Sequence, residues 1–375
     1  MNRIKSIFII SIFFTFLSSL SLLTIFTSKN NIYLENEKRY SADSPVLTTE
    51  SLFNGEYFSD FEKYITDRIF GRSFFVASNA YLKLLEGRAV AEDIYFCKNG
   101  YLINAPKKTD KSVLTNNLDR FNQFCLSNNL KATFVLIPSP GEVMKEILPL
   151  KNVNYGDELI INEIKKYSNL LLLNPTEILR DKFNNGEEVF YKTDHHLTSL
   201  GTFYVYEQIM KTKGRSCLGK EDFSVEKYYD FYGTTWAQSG YFLTKGDKIE
   251  LWDSNADLTV SVSDGKEYSK KQNSLFYKDH LKEDDKYPVF ADGNHAITKI
   301  INNKKSDKNL LIIKDSYAHC LSSFLCYEYK NIYMIDLRYF RNSVSSFIDE
   351  NNIDEVMFVY GAGTLYTDTN SAWLF

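Results

Sequence analysis

The chain has 375 residues, 44% hydrophobic and 25% charged, an ordinary globular balance with length for one large or two modest domains. A net charge of −4 excludes the global basic footprint of a nucleic-acid binder. The cysteines, Cys97, Cys125, Cys217, Cys320 and Cys326, are odd in number and lack CxxC spacing, so neither a disulfide framework nor a zinc site is expected.

Arg3 and Lys5 precede an apolar run from Ile7 to Phe26 broken only by Ser and Thr, long enough to span a bilayer. The basic flank is N-terminal, which puts the rest of the chain outside the cytoplasm. No small-x-small cleavage site follows at Thr24-Ile25-Phe26-Thr27-Ser28-Lys29. Residues 1–28 therefore read as an uncleaved signal anchor, ahead of a secreted form with the signal removed. Residues 29–52 are polar and read as a linker, and 53–375 as the folded domain. Phe61, Tyr64, Ile65 and Ile69 have helical spacing within Ser59–Arg72, with Asp67, Arg68 and Arg72 as an ion-pair cluster. Asp93 to Leu102, with Asn99-Gly100, reads as a hairpin.

An α/β rhythm follows. Helical patterns at 113–129, 157–167, 175–183 and 198–213 alternate with apolar strands at 132–137 and 170–173. Strands at 310–313, 332–335 and 356–359 alternate with helices at 317–329 and 343–351. Such alternation predicts an α/β fold with a mostly parallel sheet flanked by helices. Residues 217–293, rich in Tyr, Thr, Asp, Gly and Lys, break the rhythm and read as an insertion between two core strands, where substrate recognition often resides.

The chemistry gathers at two points. Tyr191-Lys192-Thr193-Asp194-His195-His196-Leu197-Thr198-Ser199-Leu200-Gly201 lies between an apolar run and a helix. An Asp two residues from a His on such a turn can orient the imidazole and stabilise its charged form, the supporting half of a nucleophilic triad. About 120 residues on, Ser316 follows the strand 310–313 and precedes a helix. That puts it at the C-terminal edge of a parallel sheet, beside backbone N–H groups able to hold an oxyanion. Helix capping by Ser316 or Asp315 is the alternative from position alone.

The stretch Tyr191 to Gly201 resembles the signature of the bacterial DHHW family, which is similar to the SGNH-like O-acetyltransferases of alginate and related exopolysaccharides. The blocks Phe61–Arg72, Asn99–Leu102, Asp292–His295, Lys314–Ala318 and Asp336–Phe340 extend the resemblance over roughly 55–375. It implies an SGNH-hydrolase-like fold and a triad of Ser316 as nucleophile, His196 as general base and Asp194 as its orienting carboxylate. Asn294 is the expected side-chain oxyanion donor. Tyr317, Arg338 and His195 are lesser substrate-binding candidates, and His195 is also the alternative base. Where the family has Trp after the second His, this chain has Leu197, which removes an aromatic wall without touching the triad. His319 is expected on a helix surface or against substrate, and His280 in solvent.

The resulting expectation is an extracytoplasmic O-acetyltransferase acting on a cell-surface or secreted polysaccharide through an acetyl-serine, with no cofactor and no metal. A membrane-bound O-acyltransferase would be the donor partner. Three readings compete: a deacetylating esterase with the same triad, a non-catalytic scaffold for polysaccharide or acyltransferase, and a metal phosphoesterase. The last lacks the further Asp and His ligands such sites need.

Overall fold

The apolar runs that end at Ile137, Leu173, Ile313, Ile335 and Val359 become the parallel part of one sheet. The computed structural model describes residues 2–27, 32–106, 110–149, 154–265, 267–269, 271–305 and 307–375; the end of the expected anchor and the start of the expected linker, 28–31, lie outside them. The strands of this sheet are β1 (Ala132–Ile137), β2 (Leu170–Leu173), β3 (Leu258–Ser263), β4 (Ile297–Asn302), β5 (Asn309–Lys314), β6 (Asn331–Ile335) and β7 (Glu355–Gly361). Their spatial order is β3-β4-β6-β5-β7-β1-β2. From β6 to β2 every pairing is parallel, whereas β4 joins β6, and β3 joins β4, antiparallel.

Alternation along these strands divides the core in two. Leu310 and Ile312 of β5, with Met357 and Val359 of β7, face one apolar cluster that includes Phe203 and Phe324. Leu311 and Ile313, with Val356 and Phe358, face another that includes Phe121 and Phe124. A sheet covered on both faces needs strands apolar at consecutive positions, which is why β1 and β5 read as continuous runs. The sequence pattern did not single out β4: its Thr298, Lys299 and Asn302 interrupt the apolar signal. β3 lies within the expected insertion 217–293, yet it is an edge strand of this sheet.

The chain divides into two compact units, Met1–Glu92 with Ala237–Leu243, and Asp93–Trp236 with Thr244–Phe375. The sheet belongs to the second. The first contains the helix Asn2–Thr27, which among the described residues is the one long and apolar enough to cross a membrane. It also holds the helices Glu56–Arg68 and Arg72–Leu85. The expected linker is partly ordered: Tyr33–Leu34 pairs antiparallel with Arg39–Tyr40, and Thr49–Phe53 is helical. Ion pairs explain this order. Arg39 forks onto both Asp67 oxygens at 2.7 Å, and Arg72 reaches Glu37 at 2.6 Å.

The helix Ser199–Thr212 packs so closely on the motif that a Cβ at Gly201 would sit 2.1 Å from the backbone oxygen of Val189. Gly201→Ala is therefore expected to cost about 1–3 kcal/mol, read as a lowered midpoint in urea denaturation.

Candidate active site

The motif is a closed loop. Phe190 bridges Leu197 antiparallel; the Tyr191 N–H donates to the His196 carbonyl at 3.2 Å and the Thr198 N–H to the Val189 carbonyl at 3.0 Å. Thr198 then caps the following helix, its Oγ1 accepting from the Gly201 N–H at 3.0 Å. A second carboxylate braces the loop from outside. Asp247 accepts from the N–H groups of Lys192 and Thr193 at 2.9 and 2.8 Å and from the Thr193 hydroxyl at 2.5 Å. Burial still raises the Asp247 pKa despite these bonds.

Inside the loop Asp194 is buried, 2% exposed. Its Oδ1 accepts from His196 Nδ1 at 2.5 Å and from the His196 N–H at 2.9 Å. Its Oδ2 accepts from the Thr234 N–H at 2.8 Å and hydroxyl at 3.0 Å. On the far side of the imidazole, His196 Nε2 lies 2.7 Å from Ser316 Oγ. Asp194, His196 and Ser316 thus form one hydrogen-bonded line, and Ser316 Oγ bonds to an imidazole; no side chain caps the helix Ala318–Leu325. Burial pushes the Asp194 carboxyl up, but the charges of His195 and His196 and the bonds from His196 outweigh it and hold the group well below its usual range. With the carboxylate on Nδ1, the neutral imidazole carries its proton there and presents a lone pair at Nε2 toward the serine.

Ser316 is aimed by its neighbours. The Asp315 N–H donates to the Val359 carbonyl at 3.1 Å. Asp315 Oδ2 accepts from the Gly361 N–H at 2.7 Å and the Thr364 hydroxyl at 2.8 Å, and Oδ1 from the Tyr317 N–H at 3.0 Å. The Tyr317 hydroxyl donates to the His195 carbonyl at 3.0 Å, tying the serine turn to the motif loop. A Cβ at Gly361 would fall 2.4 Å from the Tyr317 ring, and one at Gly233 would fall 2.1 Å from Asp194 Cβ, so both positions need glycine for close approach.

Sequence reasoning missed Tyr287, whose ring stacks on His196 with centroids 3.8 Å apart and planes 10° apart. Thr234 and Asp247 were missed as well. The only signal was Gly233-Thr234-Thr235, a small-residue step in an irregular stretch. The His195 and His196 rings lie 3.9 Å apart, with His195 Nδ1 3.0 Å from the Thr234 hydroxyl. Leu197 is buried in the apolar cluster.

Arg338 pairs with Asp336, Nε to Oδ1 at 2.9 Å and an Nη2 to Oδ2 at 2.6 Å. The same Nη2 donates to Asn294 Oδ1 at 2.9 Å. Because a guanidinium only donates, this contact assigns the Asn294 oxygen and leaves its amide N–H groups to donate elsewhere. Asn294 is exposed. Lys314, fully buried, contacts Asp336 at 3.1 Å and His319 Nε2 at 2.6 Å. His319 is buried too, against the expectation of a helix surface, because every residue of Ala318–Leu325 is buried. Burial and the Lys314 charge hold its pKa well below the usual value.

The ligand atoms of Asp194, His195 and His196 lie within 4.8 Å of one another, the group among the described residues that could hold an ion. Both Asp194 oxygens and both His196 nitrogens are engaged in the hydrogen bonds above, so an ion would have to displace the line to Ser316. His280 is not a solvated residue: its Nδ1 meets Glu283 at 2.8 Å and its Nε2 meets Asp292 at 2.7 Å. His295 completes the chain, to Asp292 at 3.1 Å and Asp264 at 2.9 Å.

The family described as DHHW protein matches residues 165–335, a segment that holds Asp194, His196 and Ser316. No curated protein matches the chain. Among solved structures, a DHHW family protein from Eubacterium siraeum is similar at a TM-score of 0.64 and 20% identity, covering 75% of this chain and 94% of that one. Bacillus cereus PatB1 is similar at 0.61 and 21% identity, covering 72% and 97%. The O-acetyltransferase domain of Pseudomonas putida AlgJ aligns at 0.47 and 11% identity over 73% and 92%, too loosely for functional argument. The likenesses to the Eubacterium siraeum protein and to PatB1 bear on the fold, an α/β architecture with a mostly parallel sheet flanked by helices.

The His280–Asp292–His295 bridge has a pH signature. Burial lowers the His280 pKa, but bonds to Glu283 and Asp292 outweigh it; the bond to Asp292 dominates for His295, and both histidines end above their usual 6.5. A raised folded pKa contributes stability that is full below about pH 6.5 and is lost as pH rises through the folded values. Melting temperature should therefore fall from pH 6 to pH 9 in wild type, and His280→Gln with His295→Gln should flatten that slope.

Proposed function

We propose that the protein is an extracytoplasmic O-acetyltransferase that acetylates a cell-surface or secreted polysaccharide through an acetyl-Ser316 intermediate. The observation that carries this reading is the line from Asp194 through His196 to Ser316. Lone serines do not attack esters at neutral pH; one whose proton has an imidazole acceptor at 2.7 Å is activated to do so. The choice of acetyl transfer over other acyl chemistry rests on the resemblance of the motif to the exopolysaccharide O-acetyltransferases.

In the first half-reaction Ser316 Oγ attacks the acetyl carbonyl while His196 Nε2 takes its proton. The tetrahedral intermediate collapses, the donor's leaving oxygen receives that proton, and the acetyl group stays on Ser316. In the second, a sugar hydroxyl gives its proton to Nε2 and attacks the acetyl-serine. The new ester leaves and Oγ recovers the proton. Asp194 fixes the imidazole tautomer and balances the imidazolium that forms in each step. Backbone N–H groups beside Ser316 receive the oxyanion, with the Asn294 amide, turned by Arg338, as the side-chain donor. His195 and Tyr317 brace the loop and line the approach.

The helix Asn2–Thr27 serves in this reading as a signal anchor that keeps the catalytic unit at the outer membrane face. Acetyl-CoA is cytoplasmic, so the acetyl group has to be handed across. In this reading a membrane-bound O-acyltransferase, the partner that the resemblance implies, carries out that step, with the polysaccharide as acceptor.

Release of p-nitrophenol from its acetate ester by the detergent-solubilised chain tests the triad. Ser316→Ala and His196→Ala should lose on the order of 10⁶-fold, down to background, and Asp194→Asn on the order of 10⁴-fold through the wrong tautomer. His195→Ala should keep most of the rate. Equal rates in wild type and Ser316→Ala would reject the serine mechanism. With oligosaccharide present, an acetylated sugar by mass spectrometry marks transfer, and acetate alone marks an esterase.

A further inference from the structure

The first unit exposes far more apolar surface than a soluble helical unit needs. On the helix Glu56–Arg68, Phe58, Phe61 and Ile65 are exposed at i, i+3 and i+7, a continuous stripe. On Arg72–Leu85, Phe74, Leu82 and Leu85 are exposed along a second stripe. Phe53 (89%), Leu85 (84%) and Phe74 (70%) are almost as open as in an unfolded chain. Patches of this kind mark a surface that meets protein or membrane.

What covers them is indicated by the apolar helix Asn2–Thr27. Within it Leu20 and Thr24, one turn apart, are partly buried. Leu20 lines a cleft of about 380 Å³ with Thr66, Ile69, Arg72, Phe75, Val76 and Asn79. The Thr24 hydroxyl accepts from the Phe70 N–H at 3.1 Å. The two striped helices are therefore seated against the last turns of the helix. At about 1.5 Å per residue, Leu20 and Thr24 lie roughly 23 and 29 Å beyond Lys5, against a hydrocarbon core about 30 Å thick. Anything packed at that level is at the bilayer's outer boundary.

We infer that Glu56–Arg68 and Arg72–Leu85 form a collar that lies in the outer interface of the same bilayer, with Phe53, Phe58, Phe61, Phe74 and Leu85 sunk among the lipid chains. The occupant of the patch is lipid because the residues that meet the anchor helix, Phe70 at Thr24 and Phe75 beside Leu20, are themselves exposed apolar side chains of the same two-helix segment. Amphipathic helices bury an apolar face to this shallow depth. This inference rests on the anchor reading of Asn2–Thr27. Its consequence is that the first unit is held at two levels, by the anchor and by the collar, and so has a fixed height at the membrane.

The test uses the full chain in phosphatidylcholine vesicles that contain no other protein. Cys217, the exposed cysteine, is replaced by Ser, the other four being buried. A nitroxide is attached singly after Phe13→Cys, Phe58→Cys, Phe74→Cys or Lys63→Cys, and depth is read from the ratio of oxygen to nickel-chelate collision rates. Lys63 lies opposite the Phe58 stripe. The expected order is Phe13 deep, Phe58 and Phe74 shallow but within lipid, and Lys63 aqueous. If Phe13 is deep while Phe58 and Phe74 match Lys63, the collar is rejected and the patch belongs to a protein partner. If Phe13 is aqueous, the anchor reading itself fails, and the collar with it.

Discussion

A charge taken out of water governs the proposed site. Asp194 is buried, and the effective penalty for burying such an ion is several kcal/mol. Four donors offset it: His196 Nδ1, the His196 N–H, the Thr234 N–H and the Thr234 hydroxyl. Two come from the loop itself and two from a segment 40 residues later. Satisfying the carboxylate therefore closes the loop, docks the Gly233-Thr234 step and sets the imidazole plane in one arrangement. Orientation of His196 is a by-product of solving a desolvation problem.

Much of this was legible in the sequence. Parallel strands buried on both faces are apolar at most positions, and β1, β5, β6 and β7 declare themselves in that way, while the edge strand β2 is legible from its four leucines. Asp194, His196 and Ser316 were legible because their types, spacing and positions at strand ends all agree. Residues recruited from a distance were not. Tyr287 has no local pattern that points to an imidazole; its position depends on how the chain returns after β3. His319 looks like a helix-surface residue until the whole helix turns out to be buried, with Lys314 at the end of β5 buried against it. The early polar stretch looked like a linker because ion pairs between Arg39 and Asp67 leave no periodicity to read.

The stretch that broke the α/β rhythm matters most to this reading. Between 217 and 293 the chain supplies β3 to the sheet, Thr234 to the carboxylate, Asp247 to the loop and Tyr287 to the imidazole face. A segment with weak secondary-structure signal thus furnishes the supports, while the regular segments furnish the groups those supports aim.

The contact between Asp315 and the chain beyond β7 has a consequence for biogenesis. The serine turn is fixed by the Gly361 N–H and the Thr364 hydroxyl, and β5 is zipped to β7 along its length. A chain that emerges N-terminus first, from a ribosome or through a translocation pore, can form the motif loop early. It cannot set the serine until residues 361–364 are free. Assembly of the line is thus timed to the emergence of residues 361–364, and a chain that has not reached them carries its histidine and serine as two separate, uncoupled halves.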